Sequence, residues 1–214
     1  MNQPKIPNWV RHRFVLIPCL AVACALLGGC SNPAGGGGSN PVGEVRVTNA
    51  TGSSYYPFLA WTGTEYGVVW YDNRDGNLEI YFARLDPEGR KIGSDVRITT
   101  TDTPSALCTM AWTGTEFGIV WLEEEDPDEH WVHFTRVSSI GEVMGRTLRV
   151  GPGVGNIAAN FGRPTIAWDG TNYGILWYDL PPPPDHMYTI FGRAVSPEGR
   201  PVTESGSLKA GSHQ

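Results

Sequence analysis

The chain has 214 residues, with 22 acidic residues against 16 lysines and arginines and a formal net charge of −6 at pH 7. This acidic balance excludes nucleic acid as the expected partner, because binding to phosphates needs a basic surface. With 27 glycines and 17 prolines, the sequence also disfavours long helices.

The N-terminal 29 residues are typical of an export signal. An apolar run from Phe14 to Leu27 follows three basic residues, and no acidic residue precedes Cys30. The run is shorter than the roughly 20 residues that a membrane-spanning helix needs, so it predicts a cleaved signal peptide. The basic residues are Lys5, Arg11 and Arg13.

The run ends in Leu27-Gly28-Gly29-Cys30, which resembles the lipobox of bacterial lipoproteins. The resemblance implies that residues 1–29 are removed and that the Cys30 sulfur carries a diacylglycerol. Several acyl chains together hold a protein firmly on a membrane, so we expect a lipid-anchored protein of the cell envelope. In this family Ser31 favours the outer membrane if the organism is Gram-negative. The alternative is a signal peptide cleaved elsewhere, which leaves a soluble secreted protein.

Residues 30–42 follow as a tether, because the sequence "SNPAGGGGSNPV" is rich in glycine, serine and Asn-Pro pairs and predicts a flexible coil. The repeat domain then occupies residues 43–214. Cys108 is the one cysteine of that domain, so no internal disulfide can form. It stands where Pro57 and Pro164 stand in the other repeats, which indicates a small buried residue and not a nucleophile.

An eleven-residue motif occurs three times in this domain. It reads "AWTGTEYGVVW", then "AWTGTEFGIVW", then "AWDGTNYGILW", in repeats of about 43–92, 93–143 and 144–200. Aromatic and β-branched residues flank a turn sequence in each copy, which predicts a hairpin. Two further short segments per repeat give four strands in about 50 residues, and this is typical of an all-β fold of three four-stranded propeller blades. A β-sandwich is the alternative.

The motif also resembles the repeats of bacterial secreted and lipoprotein β-propellers, some of them sialidase-like in shape. Those repeats read Ala-Trp-Asp-Gly, Tyr, an apolar pair, Trp-x-Asp, and then an Ile-Tyr strand that ends in Arg. The pattern extends over nearly all of residues 43–200. The resemblance implies the architecture and is nearly silent about activity.

Three blades are fewer than the usual four to eight. The sequence leaves open an unusually small ring, a homodimer that completes a six-bladed ring, or a shortened relative of a longer protein. Because the run "EVRVT" matches the fourth strand of a blade, we expect Val45 to Thr48 to complete the third blade.

Several side chains recur at fixed positions of the repeat, and we expect them to be structural. The six tryptophans are predicted to pack between blades, and an acid two residues after each second tryptophan is predicted to pair with an arginine in the next strand. The alternative gathers the three arginines around one mouth, where they grip a carboxylate. That arrangement resembles the arginine cluster of sialidases, although the Asp-box Ser-x-Asp-x-Gly-x-x-Trp of those enzymes is missing. The recurrent residues are Trp61, Trp70, Trp112, Trp121, Trp168, Trp177, Asp72, Glu123, Asp179, Arg84, Arg136 and Arg193.

The loop between the second and third strands differs in every repeat, and such variable loops usually carry recognition. "DNRDGNLE" fails the spacing of an EF-hand calcium loop, and "HWVH" places its two histidines on opposite faces of a strand. We therefore predict no metal site, no cofactor and no catalytic residue. The predicted ligand-binding residues of the loops are Asn73, Arg74, Asp75, Asp126, Asp128, Trp131, Asp185 and His186.

Taken together, these features predict a non-catalytic binding or assembly module of the envelope, not an enzyme, with a protein or glycan as its ligand. The alternative function is that of a carbohydrate-active protein, either a lectin or a sialidase-like glycosidase.

Overall fold

The structure, a computed structural model, describes residues 44–126, 129–153, 162–179 and 188–202. The chain divides into two units, Met1–Val42 and Gly43–Gln214. All described residues belong to the second unit.

Within these ranges the regular structure consists of β-strands alone. No helix there has the length and apolar character needed to cross a membrane. The strands are β1 Ser54–Trp61, β2 Tyr66–Asp72, β3 Glu79–Leu85, β4 Lys91–Arg97, β5 Ser105–Trp112, β6 Glu116–Asp126, β7 Glu129–Ser138, β8 Val143–Gly153, β9 Thr165–Trp168, β10 Tyr173–Asp179 and β11 Thr189–Val195.

The strands form three antiparallel meanders that follow the chain. The first sheet has the order β1-β2-β3-β4, the second β5-β6-β7-β8, and the third β9-β10-β11. The prediction of an all-β fold made of propeller-like blades is confirmed, and we call the three sheets blade 1, blade 2 and blade 3. Blade 3 has three strands among the described residues, where the sequence predicts four. Beyond β11 an isolated bridge joins Val195 to Pro201.

Each repeated motif forms the hairpin that the sequence predicts. In blade 1 the amide of Thr62 donates to the carbonyl of Glu65 at 2.9 Å, and the Thr62 hydroxyl accepts from the amide of Glu65 at 3.1 Å. Gly63 in this turn has a φ of 106°, a conformation that glycine adopts without strain. Threonine before glycine therefore encodes the turn locally.

The blades pack face to face around one apolar core that extends through all three of them. Side chains alternate between the faces of a strand, so blade 2 presents Phe117 and Trp121 to blade 1, and Val120 to blade 3. Phe117 lies directly over Gly67 of blade 1, where an added Cβ would come within 2.5 Å of its ring. Tyr173 of blade 3 lies over Gly118 of blade 2 in the same way. We call this arrangement the aromatic–glycine contact.

Blade 3 departs from the predicted alignment of the repeats by one residue. Arg84 lies opposite Gly67 and Arg136 opposite Gly118, whereas Arg193 lies opposite Ile175. A one-residue slip turns every side chain to the other face of the sheet. Arg193 is therefore not equivalent to the other two arginines, although all three follow a phenylalanine by two residues.

The expectation that Val45 to Thr48 completes blade 3 is wrong. These residues form no strand. Val47 packs instead against the cluster of Val68 and Trp70 on the outer face of blade 1. Apolar contact with the nearest sheet takes the place of pairing with the distant one.

Candidate functional site

A polar groove with a cavity volume of about 290 Å³ lies between blade 1 and blade 2. Its blade 1 side is the segment 98–101 that follows β4, and its blade 2 side consists of residues on β6, β7 and β8. Blade 2 contributes Trp121, Glu123, His133, Thr147 and Arg149. These side chains share one face of the sheet, because His133 is paired with both Trp121 and Arg149 in the strand register.

Glu123 is a buried carboxylate that lines the groove. It is 7% exposed, and its Oε2 accepts hydrogen bonds from Trp121 Nε1 at 3.2 Å and from Ser105 Oγ at 3.3 Å. Both donors are neutral, and among the described residues no cation forms an ion pair with it. A buried carboxylate needs hydrogen bonds, and here two side chains of the protein leave acceptor positions for a ligand.

Glu125 lies on the same face and contacts the side chains of His133 and Arg149. Its Oε1 is 3.1 Å from His133 Nε2, and its Oε2 accepts from Arg149 Nη2 at 2.6 Å. The Arg149 guanidinium lies 3.3 Å from the centre of the Trp131 ring, and His133 stacks on Trp121 at 5.7 Å. Ring stacking and the shared carboxylate fix the positions of the guanidinium and of the imidazole.

The groove therefore combines a carboxylate acceptor, a fixed guanidinium donor and threonine hydroxyls beside an indole ring. Convergent polar groups on a partly apolar wall are typical of small-molecule sites. A ligand with many hydroxyl groups can use the acceptor and the donors together, since a hydroxyl both donates and accepts.

Three of the predicted loop residues, Asn73, Arg74 and Asp75, lie away from the groove and contact residues of blade 1, and their role in ligand binding stays a prediction. The Asn73 Oδ1 accepts from the amide of Ser53 at 2.8 Å. Asp75 accepts from the Tyr81 hydroxyl and lies 3.2 Å from Arg97 Nη1.

Arg74 joins two strands of blade 1. Its Nε lies 2.9 Å from both carboxylate oxygens of Asp72, its Nη1 donates to Asp95 Oδ2 at 2.7 Å, and its guanidinium lies 4.1 Å from the Tyr81 ring centre. Burial lowers the pKa of Arg74, but the hydrogen bonds to Asp72 and Asp95 outweigh burial and raise it overall. The side chain thus stays positively charged and links Asp72 to Asp95 within the blade.

The other predicted loop residues divide into two groups. Trp131 lies beneath Arg149 at the groove, and Asp126 is exposed at the end of β6. Cys30, Asp128, Asp185 and His186 lie outside the described residues, as does the side chain of Asp179. In the described part of the chain, no group of three His, Cys, Asp or Glu residues could hold a metal ion.

The arginines pair with other acids than the sequence predicts. Arg84 binds Glu65 of its own hairpin through two hydrogen bonds of 2.6 and 2.7 Å, and Arg136 binds Glu116, the equivalent residue, at 3.2 Å. Arg193 leaves its buried Nε without a partner among the described residues. The arginines therefore do not converge on a common mouth, and the sialidase-like cluster is not formed.

The predicted acid partners bind the tryptophans instead. Trp70 Nε1 donates to Asp72 at 2.9 Å, as Trp121 does to Glu123. Trp70, Trp121 and Trp177 are buried, Trp112 and Trp168 are half-buried, and Trp61 is 46% exposed. The acid two residues after the tryptophan lies on the same face of the strand, so alternation alone brings the two together.

Cys108 is fully buried in the core. Burial raises the pKa of its thiol to about 12. Since the thiolate is the reactive form, the geometry gives this cysteine no role as a nucleophile.

Sequence reasoning missed Glu125, His133 and Arg149 as parts of one site. The residues come from three strands, and their sequence separations of 8 and 24 residues give no local signal. The run "TLRV" does place Thr147 and Arg149 on one face of a strand, as the structure confirms. The order of the strands in the sheet decides which side chains of β6 and β7 lie beside these two residues, and the run itself does not encode that order.

No protein-family model matches this chain, and no curated protein matches its sequence. Solved structures show a likeness of fold. An endo-arabinase from Bacteroides thetaiotaomicron is 13% identical, with a TM-score of 0.49, and the match covers 72% of this chain and 61% of the enzyme. TcdA4 from Morganella morganii is also 13% identical, with a TM-score of 0.43, over 72% of this chain and 8% of that protein. The chain thus spans less than two thirds of either structure.

The similarity to an endo-arabinase corrects the expectation that this protein is not an enzyme. The all-β fold of this chain does not exclude catalysis. At 13% identity the likeness concerns the fold alone.

Proposed function

We propose that this protein is carbohydrate-active and holds a saccharide in the groove between blade 1 and blade 2. The observation that carries the proposal is Glu123, a buried carboxylate with neutral donors, which lines the groove together with the fixed guanidinium of Arg149. The carboxylate accepts hydrogen bonds from sugar hydroxyls, and the guanidinium donates to sugar oxygens. Thr147 and the threonines of segment 98–101 add neutral partners.

Substitutions in the groove test the proposal by glycan-array binding and by titration of a retained oligosaccharide. We expect Glu123→Gln and Arg149→Ala each to weaken binding by about tenfold or more, because a hydrogen bond to a charged group contributes about 1.5–3 kcal/mol. Glu142→Gln is the matched control, since this exposed glutamate lies in the β7–β8 turn away from the groove. If neither groove variant weakens binding, or if no glycan is retained, the groove is not a saccharide site.

Hydrolysis is a second candidate function, favoured by the two carboxylates on one face of β6. Alternate residues of an antiparallel strand lie about 7 Å apart, and Glu123 and Glu125 have different surroundings, one with neutral donors and one with the guanidinium of Arg149. Glycoside hydrolysis uses a pair of carboxylates with separate roles.

Release of reducing ends from plant and bacterial polysaccharides measures this activity. A hydrolase should lose activity by at least about a hundredfold in Glu123→Gln and in Glu125→Gln, since removal of one acid or base group typically has an effect of this size. Retention of a glycan without any release would leave the lectin form of the proposal.

We further propose that the protein is anchored to the envelope through Cys30, since "LGGC" has the form of a lipobox. Cys30→Ala should move the protein from the membrane fraction, and from the detergent phase in phase partition, to the soluble fraction, because it removes the site for the acyl chains. Cys108→Ala is the control, as its thiol is buried. A Cys30→Ala protein that stays with the membrane would contradict lipid anchoring.

A further inference from the structure

We propose that two copies of this chain dock head to tail, blade 1 of each against blade 3 of the other, with Tyr66 of one copy seated over Gly174 of the second copy. The two equivalent interfaces close a ring of six blades. This interface repeats the aromatic–glycine contact, which the chain forms twice between its own blades.

The internal aromatic–glycine contacts set the pattern. Phe117 covers Gly67 between blades 1 and 2, and Tyr173 covers Gly118 between blades 2 and 3. Both aromatic side chains are 0% exposed. Each ring also packs against the first tryptophan of its own motif, at 4.5 Å for Phe117 with Trp112 and 4.8 Å for Tyr173 with Trp168.

Tyr66 and Gly174, the remaining aromatic residue and the remaining glycine of the motif, do not meet within one chain, because they lie on the outer faces of blade 1 and blade 3. Tyr66 occupies the position of Phe117 and Tyr173, packs on Trp61 at 4.5 Å, and is only partly buried on the outer face of blade 1. Gly174 occupies the position of Gly67 and Gly118 on the outer face of blade 3. A Cβ at Gly174 would have nothing nearer than the Ala167 carbonyl at 4.0 Å among the described residues.

Apolar side chains lie around both Tyr66 and Gly174. Leu176 and Ile190 lie on the outer face of blade 3 and are 41% and 59% exposed. Leu59 and Trp61 lie on the outer face of blade 1 and are 51% and 46% exposed, and Leu59 also lines an apolar groove of about 310 Å³. Exposed apolar surface of this kind marks an interaction site, and both faces repeat the composition of the internal interfaces.

A polar contact of the internal interface also has its counterparts. The Tyr173 hydroxyl donates to Glu116 Oε1 at 2.8 Å, whereas Phe117 has no hydroxyl to donate. Tyr66 has one, and blade 3 carries Asn172 at the position of Glu116. An amide oxygen accepts such a bond as a carboxylate does.

The β-turn after the third strand of each blade gives a second repeated contact. In blade 2 this turn places Gly141 near Phe82 of blade 1, and in blade 3 it places Gly199 near Phe134 of blade 2. The equivalent Gly89 of blade 1 has no described residue within 4 Å of an added Cβ. Tyr66 and Gly89, two separate parts of blade 1, thus lack among the described residues the contact with another blade that the equivalent residues of blades 2 and 3 make.

Both complementary faces belong to the same chain, so a second copy supplies each missing neighbour. Head-to-tail contacts form rings when the rotation closes and open filaments when it does not. Two copies give six blades, which lies within the usual four to eight.

Light scattering coupled to size exclusion, on the full chain in detergent, tests the proposal. We expect twice the mass of one chain for the wild type. Gly174→Val fills the space that Tyr66 enters and should weaken the dimer by at least about tenfold, while the unchanged melting of the dilute protein shows that it folds. Val143→Ala on the exposed side of blade 2 is the control that should remain dimeric.

A mixture of two variants makes the test specific to this pair of residues. Tyr66→Ala and Gly174→Val should each be monomeric alone, yet together they restore one intact interface, and a heterodimer should appear. A monomeric wild type, assemblies of three or more copies, a dimer insensitive to Gly174→Val, or a mixture that does not associate would each overturn the proposal.

Discussion

Replacing Gly118 by alanine is expected to lower the free energy of unfolding by about 3 kcal/mol, the upper end for overpacked cores. The new Cβ would lie 2.8 Å from Cδ1 of Tyr173 and nearer still to its Cε1. The ring cannot move away easily, because it packs on Trp168 at 4.8 Å and donates to Glu116 at 2.8 Å. Urea denaturation followed by tryptophan fluorescence measures the change as a lower midpoint at an unchanged slope.

Gly174→Ala is the control for this prediction, since at the same motif position in blade 3 an added Cβ would meet no described atom nearer than the Ala167 carbonyl at 4.0 Å. At dilute protein concentration we expect a change within about 0.5 kcal/mol, as for other exposed substitutions. Equal losses at the two positions would mean that backbone entropy decides the effect, and not the contact with the aromatic ring.

Trp121→Ala is expected to lower the free energy of unfolding by about 3–5 kcal/mol, the usual range for a large buried aromatic residue. Trp121 is 1% exposed and belongs to the core that extends through the three blades. Its removal also takes away the indole donor of the buried Glu123 carboxylate, and an unsatisfied buried acceptor is itself destabilising.

Trp61→Ala provides the comparison, because the first tryptophan of blade 1 is 46% exposed. We expect a loss of less than about 1.5 kcal/mol in the dilute protein, since only part of its area is removed from water. Thermal melting by circular dichroism ranks the two variants. A Trp121→Ala protein as stable as Trp61→Ala would show that the core relaxes around the missing ring.

The repeat motif predicted the hairpins and the all-β blades because these depend on neighbouring residues. Thr62 and Gly63 encode a turn within four residues, and the continuous apolar run of β2 predicts a strand that is buried on both faces, as the structure shows. The burial of Trp70 follows from the same run.

Contacts between distant segments could not be predicted in the same way. Arg84 has two acids of its own repeat within reach along the sequence, Glu65 and Asp72, and only the strand register selects Glu65. The slip in blade 3 depends on where β10 and β11 pair, which no local pattern fixes. The groove requires β6, β7 and β8 side by side with segment 98–101, so its residues become neighbours only in the folded chain.

The position of blade 2 between two other blades has a consequence for motion. Among the described residues it is the blade that packs against another blade on each of its faces, and Phe117, Val120 and Phe134 are almost wholly buried there. In proteins built from stacked repeats, each unit is stabilised by its neighbours alone, so local opening starts at the units with one neighbour. Backbone amides of β6 and β7 should therefore exchange hydrogen most slowly, and the polar groove lies on the most rigid part of the protomer.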